Sequence, residues 1–249
     1  MTARRYSARR PIRLSDTGAT GRLRLDAVAR YLQDVAADDV ADAGWSPDEH
    51  IWVVRRTELA VQRPFLADTA VELTTWCAGV AAAAAARRTT LAGDHGGLIE
   101  AEMIWIHLGR NGQPERLGER FLAVYGESAA GRKASTRLAL PGCPAAVPGT
   151  AWQVRSTDVD TLGHMNNAAY WAAVEECWSE RLAEPARLVL EYRRPIDRFE
   201  DVVVSQVEGR LWLTVGGEVR AAAGLSSGDG ADDPLLRRLE HVGPRPGDG

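Results

Sequence analysis

Apolar residues recur at helical spacing in two segments, one in each half of the chain. Over Leu25–Val40 they fall at positions 25, 28, 29, 32, 35, 36 and 40, and charged residues occupy the other side. A second apolar stripe runs through Ala168–Leu182, with Asn166 or Asn167 as a candidate N-cap just ahead of it. We predict an amphipathic helix in each segment.

Most other apolar runs favour strands. Val71–Cys77 alternates, with positions 71, 73, 75 and 77 on one face. Segments bounded by Gly, Pro or charged turns predict further strands at Leu98–Leu108, Arg187–Arg193, Val202–Val207, Leu211–Val215 and Val219–Leu225.

Six consecutive alanines, Ala81–Ala86, interrupt this pattern. Their intrinsic propensity favours helix, yet they stand between two strand-like segments, where a hairpin is expected. We interpret them as a short exposed stretch that tolerates small side chains.

Pro and Gly residues divide the chain. Leu138–Thr150 contains three prolines and two glycines and predicts a linker. Beyond Ser226 the chain is rich in Gly, Asp and Pro, so we expect a poorly ordered tail. The predicted organisation is a first domain over 1–137, a linker over 138–150, a second domain over 151–226 and a tail over 227–249.

The two halves resemble each other. The strand-like segments Leu59-Ala-Val-Gln-Arg-Pro64 and Leu190-Glu-Tyr-Arg-Arg-Pro195 match, and their prolines are 131 positions apart (195 − 64). Similar helix residues, Tyr31 and Tyr170, are 139 apart (170 − 31), which puts about eight extra residues into the first half. The same order of elements on both sides of a linker indicates a duplication.

Composition excludes several classes of protein. The 249 residues are 45% hydrophobic and 26% charged, and this length suits two domains. A net charge of −4 does not suggest general nucleic-acid binding. No apolar run approaches the roughly 20 residues that span a membrane, and the N-terminus lacks the apolar stretch of a signal peptide. Three cysteines without CxxC spacing favour neither a disulfide framework nor a zinc site, and we expect a cytoplasmic protein.

Polar side chains are densest over Asp158–Tyr170, where two carboxylates, one imidazole and two amides precede the second helix. Thioester hydrolysis needs a base or carboxylate near the carbonyl carbon and donors for the oxyanion, and helix N-termini supply such donors. Because Gly163 permits a tight turn, Asp160 and His164 can reach one pocket. The alternative is that these residues only stabilise a turn and cap the helix.

The motif Asp160-x-x-Gly-His164-Met-Asn-Asn-x-x-Tyr170, followed by Glu175-Glu176, resembles the hotdog thioesterases. With Leu-Glu-Tyr-Arg-Arg at 190–194, it is most similar to the acyl-acyl-carrier-protein thioesterases of plants and bacteria. Three segments of the first half also resemble this family: Gly21-Arg-Leu, Tyr31-Leu-Gln-Asp34 and Ile51-Trp-Val-Val-Arg55.

This resemblance implies an α+β fold of two tandem hotdog domains, each a curved antiparallel sheet wrapped around a long helix. It implies hydrolysis of fatty acyl thioesters without metal or cofactor, with Asp160 as base or nucleophile, His164 as orienting and donating partner, and Asn166 as polar support. Two departures suggest a reduced constellation. Leu162 stands where plant members have Asn, and Pro195-Ile196 stands where they have an acidic residue and Cys.

Substrate-binding residues are expected in both halves. Arg193 and Arg194, with Arg198 nearby, form the nearest basic cluster to the motif and suit an acidic carrier protein or the phosphates of coenzyme A. A solvated strand end is the alternative. Leu32 and Trp52 of the first half are expected to shape the acyl pocket. A single site per chain is expected, since the first-half loop around Asp16 has one carboxylate and no imidazole.

Other assignments stay open at this point. The carrier is either a protein or coenzyme A, and a homodimer is left open. A non-catalytic acyl-binding hotdog remains an alternative, while an enoyl hydratase lacks its Asp-x-Asn-Pro-x-x-His signature and no segment is left for a DNA-binding module. Glu176, Glu191 and Cys177 stay open as outer members of the site, while the expected positions are the surface for the two glutamates and the core for Cys177.

Overall fold

The structure is a computed structural model that describes residues 3–45, 51–182 and 185–227. Within these ranges the helices are α1 (Leu25–Asp42), α2 (Glu119–Ala129) and α3 (Asn167–Trp178). The strands are β1 (Tyr6–Pro11), β2 (Ile51–Arg63), β3 (Ala70–Ala81), β4 (Ala84–Gly93), β5 (Leu98–Leu108), β6 (Gly149–Trp152), β7 (Ala186–Tyr192), β8 (Val202–Val207), β9 (Arg210–Val215) and β10 (Glu218–Ser227).

The ten strands form one antiparallel sheet in the order β1-β3-β4-β5-β2-β7-β10-β9-β8-β6. Strands β1–β5 come from the first half of the chain and β6–β10 from the second, so the β2–β7 pair joins the halves. Each half packs its part of the sheet against one long helix, α1 or α3. The predicted α+β fold of two tandem hotdogs is confirmed.

The β2–β7 pair lies on a local two-fold axis. Glu58 pairs with Val189, and the residues on either side of them exchange roles, Thr57 with Leu190 and Leu59 with Leu188. Glu58 and Val189 are 131 positions apart (189 − 58), the offset that the sequence predicted for this strand. Helices α1 and α3 lie against each other within the same core.

The predicted helix offset of 139 is wrong by about one helical turn. Helix α1 starts at Leu25 and α3 at Asn167, which are 142 positions apart (167 − 25). The burial pattern supports this match, because buried positions 28, 29, 31 and 32 then coincide with buried positions 170, 171, 173 and 174. Tyr31 and Tyr170 are therefore not equivalent. They lie about one turn apart along the matched helices, and residues one turn apart lie on a similar face of a helix. The first half has eleven extra residues between helix and strand (142 − 131).

The alanine run forms the hairpin between β3 and β4. Ala82 and Ala83 make the turn, and Ala84, Ala85 and Ala86 begin β4, where they pair with β3 on one side and β5 on the other. These last three residues are buried, so the expected exposure was wrong for them. Pairing on both edges outweighs the helix propensity of alanine, which tertiary context commonly overrides.

The predicted linker is held against the sheet rather than standing away from it. Leu140 packs on Val189 and Trp212, which belong to the face opposite the main core. The Glu191 carboxylate accepts the N–H groups of Ala139 and Leu140. Glu191 is only 1% exposed, and its expected surface position was wrong.

Elements β1, α2 and β6 were not predicted from the sequence, and β4 was expected only as a strand-like segment after the alanine run. Helix α2 covers β3, and its residues Phe121 and Tyr125 form a small second core with Trp45. Apart from Ser227, the predicted tail over 227–249 lies outside the described residues. Among the described helices, none has the length and apolar character required to cross a membrane.

Candidate active site

The loop that leads into α3, residues 158–167, closes on itself as a tight turn. The Asp160 N–H donates to the carbonyl of His164 (2.9 Å), and the Gly163 N–H donates to the carbonyl of Asp160 (3.0 Å). Gly163 has a φ of 83°, a left-handed conformation that disfavours other residues. The turn brings two predicted site residues, Asp160 and His164, together at the start of the helix.

Asp160 uses one carboxylate oxygen to hold this turn. Its Oδ1 accepts the backbone N–H groups of Leu162 (2.9 Å) and His164 (3.4 Å). Its Oδ2 accepts none of the hydrogen bonds found in the described part of the chain, and the residue is half-buried. One oxygen therefore fixes the carboxylate, and the other is available to water or substrate.

The His164 imidazole has an acidic neighbour that sequence reasoning missed. Nε2 of His164 lies 3.6 Å from Oδ1 of Asp197, beyond hydrogen-bond length but close enough for attraction when the ring is protonated. The two backbones also meet in an isolated β-bridge. Asp197 lies in the turn after β7, two residues past Pro195. Pro195 itself stands where plant members of the resembled family have an acidic residue.

The N-terminus of α3 faces the same loop. Asn166 is its N-cap, and its side-chain oxygen accepts the Ala168 N–H (2.8 Å), as the sequence predicted. Asn167 is the first helical residue, and its N–H donates to no acceptor within the described residues. This unpaired donor stands at the positive end of the helix dipole, which suits an oxyanion.

Asp158 has a structural role. Its carboxylate accepts the Arg155 N–H (2.9 Å) and pairs with the Arg155 guanidinium, closing a short 3-10 turn. Asp16 closes the corresponding 3-10 turn of the first half in the same way, by accepting the Arg13 N–H (2.9 Å). Asp16 is therefore the counterpart of Asp158 and not of Asp160.

The first half repeats the backbone of the loop without its chemistry. The Gly18 N–H donates to the carbonyl of Arg22 (2.8 Å), as Asp160 does to His164. Gly18 thus stands in place of the aspartate and Arg22 in place of the histidine, each 142 positions earlier (160 − 18 and 164 − 22). This loop has neither carboxylate nor imidazole at those positions.

Glu175 of α3 fills the corresponding space in the first half. Its carboxylate accepts the N–H of Leu25, the first residue of α1 (3.0 Å), and forms an ion pair with Arg22. The start of α1 therefore lies beside the C-terminal half of α3, so the two helices are antiparallel. A carboxylate here binds the helix start.

A cavity of about 230 Å³ lies in the first half, between the C-terminal part of α1, strands β2–β5 and α2. Its walls are mainly apolar and aromatic: Gln33, Ala36, Ala37, Val40, Ala41, Trp45, Trp52, Cys77, Ala85, Ala86, Arg87, Trp105, Phe121 and Tyr125.

The two predicted pocket residues differ in position. Trp52 lines the cavity, with its ring 5.5 Å from that of Phe121. Leu32 belongs to the main core and is not among the residues that line this cavity. The reason is its position on α1, one residue before Gln33 and on a different face of the helix.

The three arginines of the predicted basic cluster differ in their surroundings. The Arg193 guanidinium donates to the carbonyl of Leu140 and so holds the linker. Arg194 is exposed and pairs with Glu218 (3.0 Å), while exposed Arg198 stacks on the ring of Phe199. Only Arg194 and Arg198 are placed on an open surface.

That surface also carries apolar groups next to the loop. Phe199 is 88% exposed, and Leu162 in the loop itself is 59% exposed.

The remaining candidates have no contact with the loop chemistry. Cys177 packs against the main core, and burial raises the pKa of its thiol, which disfavours a thiolate nucleophile. Glu176 is exposed, as expected. At the surface, Asp68, Asp94 and His95 come within 4.8 Å of one another, a grouping that their sequence spacing did not suggest.

Comparison with known proteins identifies relatives along almost the whole chain. Residues 3–125 match the family model described as the acyl-ACP thioesterase N-terminal domain, and residues 146–220 match the acyl-ACP thioesterase C-terminal domain. The uncharacterized protein Rv2001 of Mycobacterium tuberculosis is 35% identical over 224 residues, which cover 87% of this chain and 85% of that protein.

Solved structures share the fold. The 12:0-ACP thioesterase from Umbellularia californica is 18% identical, with a TM-score of 0.73 that covers 90% of this chain and 98% of that chain. An acyl-ACP thioesterase from Bacteroides thetaiotaomicron is 15% identical, with a TM-score of 0.68 over 89% of this chain and 96% of that chain.

Proposed function

The chain belongs to the acyl-ACP thioesterase family and is a thioester hydrolase acting on fatty acyl thioesters, and we propose that it releases fatty acid from acyl carrier protein at one site built on Asp160 and His164. The loop before α3 carries this proposal. It holds a fixed carboxylate, an imidazole and an unpaired helix N–H together, while the matching loop of the first half holds none of the side chains.

Asp160 acts as a general base in this proposal. Its Oδ2 takes a proton from water as the water oxygen bonds to the thioester carbonyl carbon. The negative charge that develops on the carbonyl oxygen is stabilised by the Asn167 N–H at the start of α3. The C–S bond then breaks, and the proton passes from Asp160 to the thiolate. His164, oriented by Asp197, positions the water.

The cavity of the first half is the proposed acyl pocket. Because α1 and α3 are antiparallel, the C-terminal half of α1, which lines the cavity, lies beside the start of α3. An acyl chain held there brings its thioester end to Asp160. Apolar walls around Trp52 and Trp105 suit a hydrocarbon chain.

An acidic carrier protein would dock on the surface formed by Arg194, Arg198, Leu162 and Phe199. Two exposed cations and two exposed apolar side chains border the loop. We leave Arg193 out of this surface, because it is only half-exposed and its guanidinium donates to the linker carbonyl of Leu140, whereas Arg194, although paired with Glu218, is exposed.

The roles of the site residues can be measured by thiol release from short, medium and long acyl chains on carrier protein and on coenzyme A. Asp160→Asn should lower kcat by about 100-fold, the usual scale for loss of a general base. His164→Ala should cost a similar or smaller factor. Cys177→Ala is the control and should keep nearly full activity.

A correctly folded Cys177→Ala variant without activity would point instead to a thiol nucleophile. Wild-type protein that releases no thiol from any substrate of the panel would refute the function itself.

Chain-length preference should respond to the cavity walls. Ala85→Leu fills the cavity and should shift the kcat/KM optimum to shorter chains, since each excluded methylene forfeits about 0.8 kcal/mol of burial. Trp52→Ala enlarges it and should shift the optimum to longer chains. As a control, Leu32→Val alters the main core and should lower Tm without moving the optimum. An unchanged optimum in both cavity variants would place the acyl chain elsewhere.

Carrier docking is tested by charge reversal. Arg194→Glu together with Arg198→Glu should raise KM for acyl carrier protein several-fold more than it lowers kcat, and added salt should shrink the difference. Arg5→Glu together with Arg9→Glu, two exposed residues just before and within edge strand β1, is the control matched for net charge. Equal losses on an acyl thioester of N-acetylcysteamine, which has no carrier, would contradict a docking role.

A further inference from the structure

Gln33 of α1 occupies the position that Glu175 occupies in α3. The two residues are 142 positions apart (175 − 33), the offset that relates the helix starts and their loops. Both are half-buried, and both are followed by an exposed acidic residue, Asp34 or Glu176. The local two-fold axis therefore gives them equivalent places in the two halves.

The surroundings of Gln33 follow from those of Glu175. Glu175 contacts Arg22 and the N–H of Leu25. At the same offset of 142, the position of Arg22 corresponds to His164 and the position of Leu25 corresponds to Asn167. From this equivalence we infer that the side chain of Gln33 faces the imidazole and the unpaired helix N–H of the second-half loop.

The Gln33 amide is itself unpaired. Its Nε2 is buried and has no hydrogen-bond partner within the described residues, although an unsatisfied buried donor costs about 1–3 kcal/mol. Gln33 also lines the cavity, whose neighbouring residues Ala36, Ala37 and Val40 offer no polar side-chain partner. A donor left unpaired between the cavity and the loop is suited to an acceptor on the substrate.

The amide of Gln33 and the carboxylate of Glu175 have different effects on the helix start that each one faces. In the first half, the Glu175 carboxylate occupies the helix N–H and neutralises Arg22. A carboxylate in place of Gln33 would bind the Asn167 N–H and repel a developing oxyanion. A neutral amide leaves that N–H unoccupied and adds a second donor beside it.

We propose that Gln33 is a catalytic residue contributed by the first half, donating from Nε2 to the thioester carbonyl oxygen alongside the Asn167 N–H. The inference rests on the proposed hydrolase site. It makes that site a composite of both halves, with the acyl pocket and one oxyanion donor from the first and the base from the second.

Two substitutions at Gln33 test the donor. Gln33→Met keeps the length of the side chain but removes the N–H groups, and should lower kcat by about 100-fold with a smaller change in KM. Gln33→Glu restores the arrangement of the first half, and should lower kcat further while raising or preserving Tm. The matched control is Glu175→Gln, which breaks the ion pair with Arg22 and should lower Tm while kcat changes little.

Binding of two analogues separates a donor role from packing. The probes are an acyl-coenzyme A ketone, in which CH₂ replaces sulfur and the carbonyl remains, and an S-alkyl-coenzyme A thioether, which has no carbonyl. Gln33→Met should weaken binding of the ketone about tenfold and leave the thioether unchanged.

Equal weakening of both analogues, or a Gln33→Met kcat within twofold of wild type, would overturn the proposal. The Asp160→Asn variant in the same assays keeps the two ideas apart. If it loses activity while Gln33→Met does not, the hydrolase site stands and the donor role fails. If Asp160→Asn stays active, the site is wrong, and the analogue comparison still decides the role of Gln33.

Discussion

The antiparallel pairing of β2 with β7 determines most of the architecture. It joins two five-stranded halves into one sheet and places a two-fold axis at the Glu58–Val189 pair. Because each half carries its helix on the same face of the sheet, this axis makes α1 and α3 antiparallel neighbours. Each helix start then lies beside the other helix, and a site at one start necessarily includes residues from both halves.

The two halves have kept one backbone and diverged in side chains. Their loops share the same hydrogen bonds and a left-handed glycine, Gly21 or Gly163. In the first half, an arginine and a glutamate form an ion pair that closes the space at the helix start. In the second half, His164 and Gln33 take the places of the arginine and the glutamate, and the Asn167 N–H at the helix start has no partner within the described residues. The first half, in which that space is closed, holds the cavity instead.

Much of this could be predicted from the sequence, because the informative residues are close together along the chain. Periodicity located α1 and most strands, and the Asp160–His164 motif lies within one turn. Asp197 and Gln33 could not be found in this way, since only the sheet topology and the two-fold axis bring them to the loop. Strand β1 was missed because charged residues dominate its short alternation. The predicted offset between the two helices was wrong by one turn, because the hydrogen bonds that align the two loops cannot be read from the sequence.

We propose that one chain of two similar halves holds a single acyl-thioester site. Isothermal titration of the full chain with the acyl-coenzyme A ketone measures the number of sites directly. One equivalent should bind per chain, and substitutions in the second-half loop or loss of the Gln33 amide should weaken that binding. Two equivalents per chain, or binding that depends on Gly18 and Arg22 in the first-half loop, would contradict it.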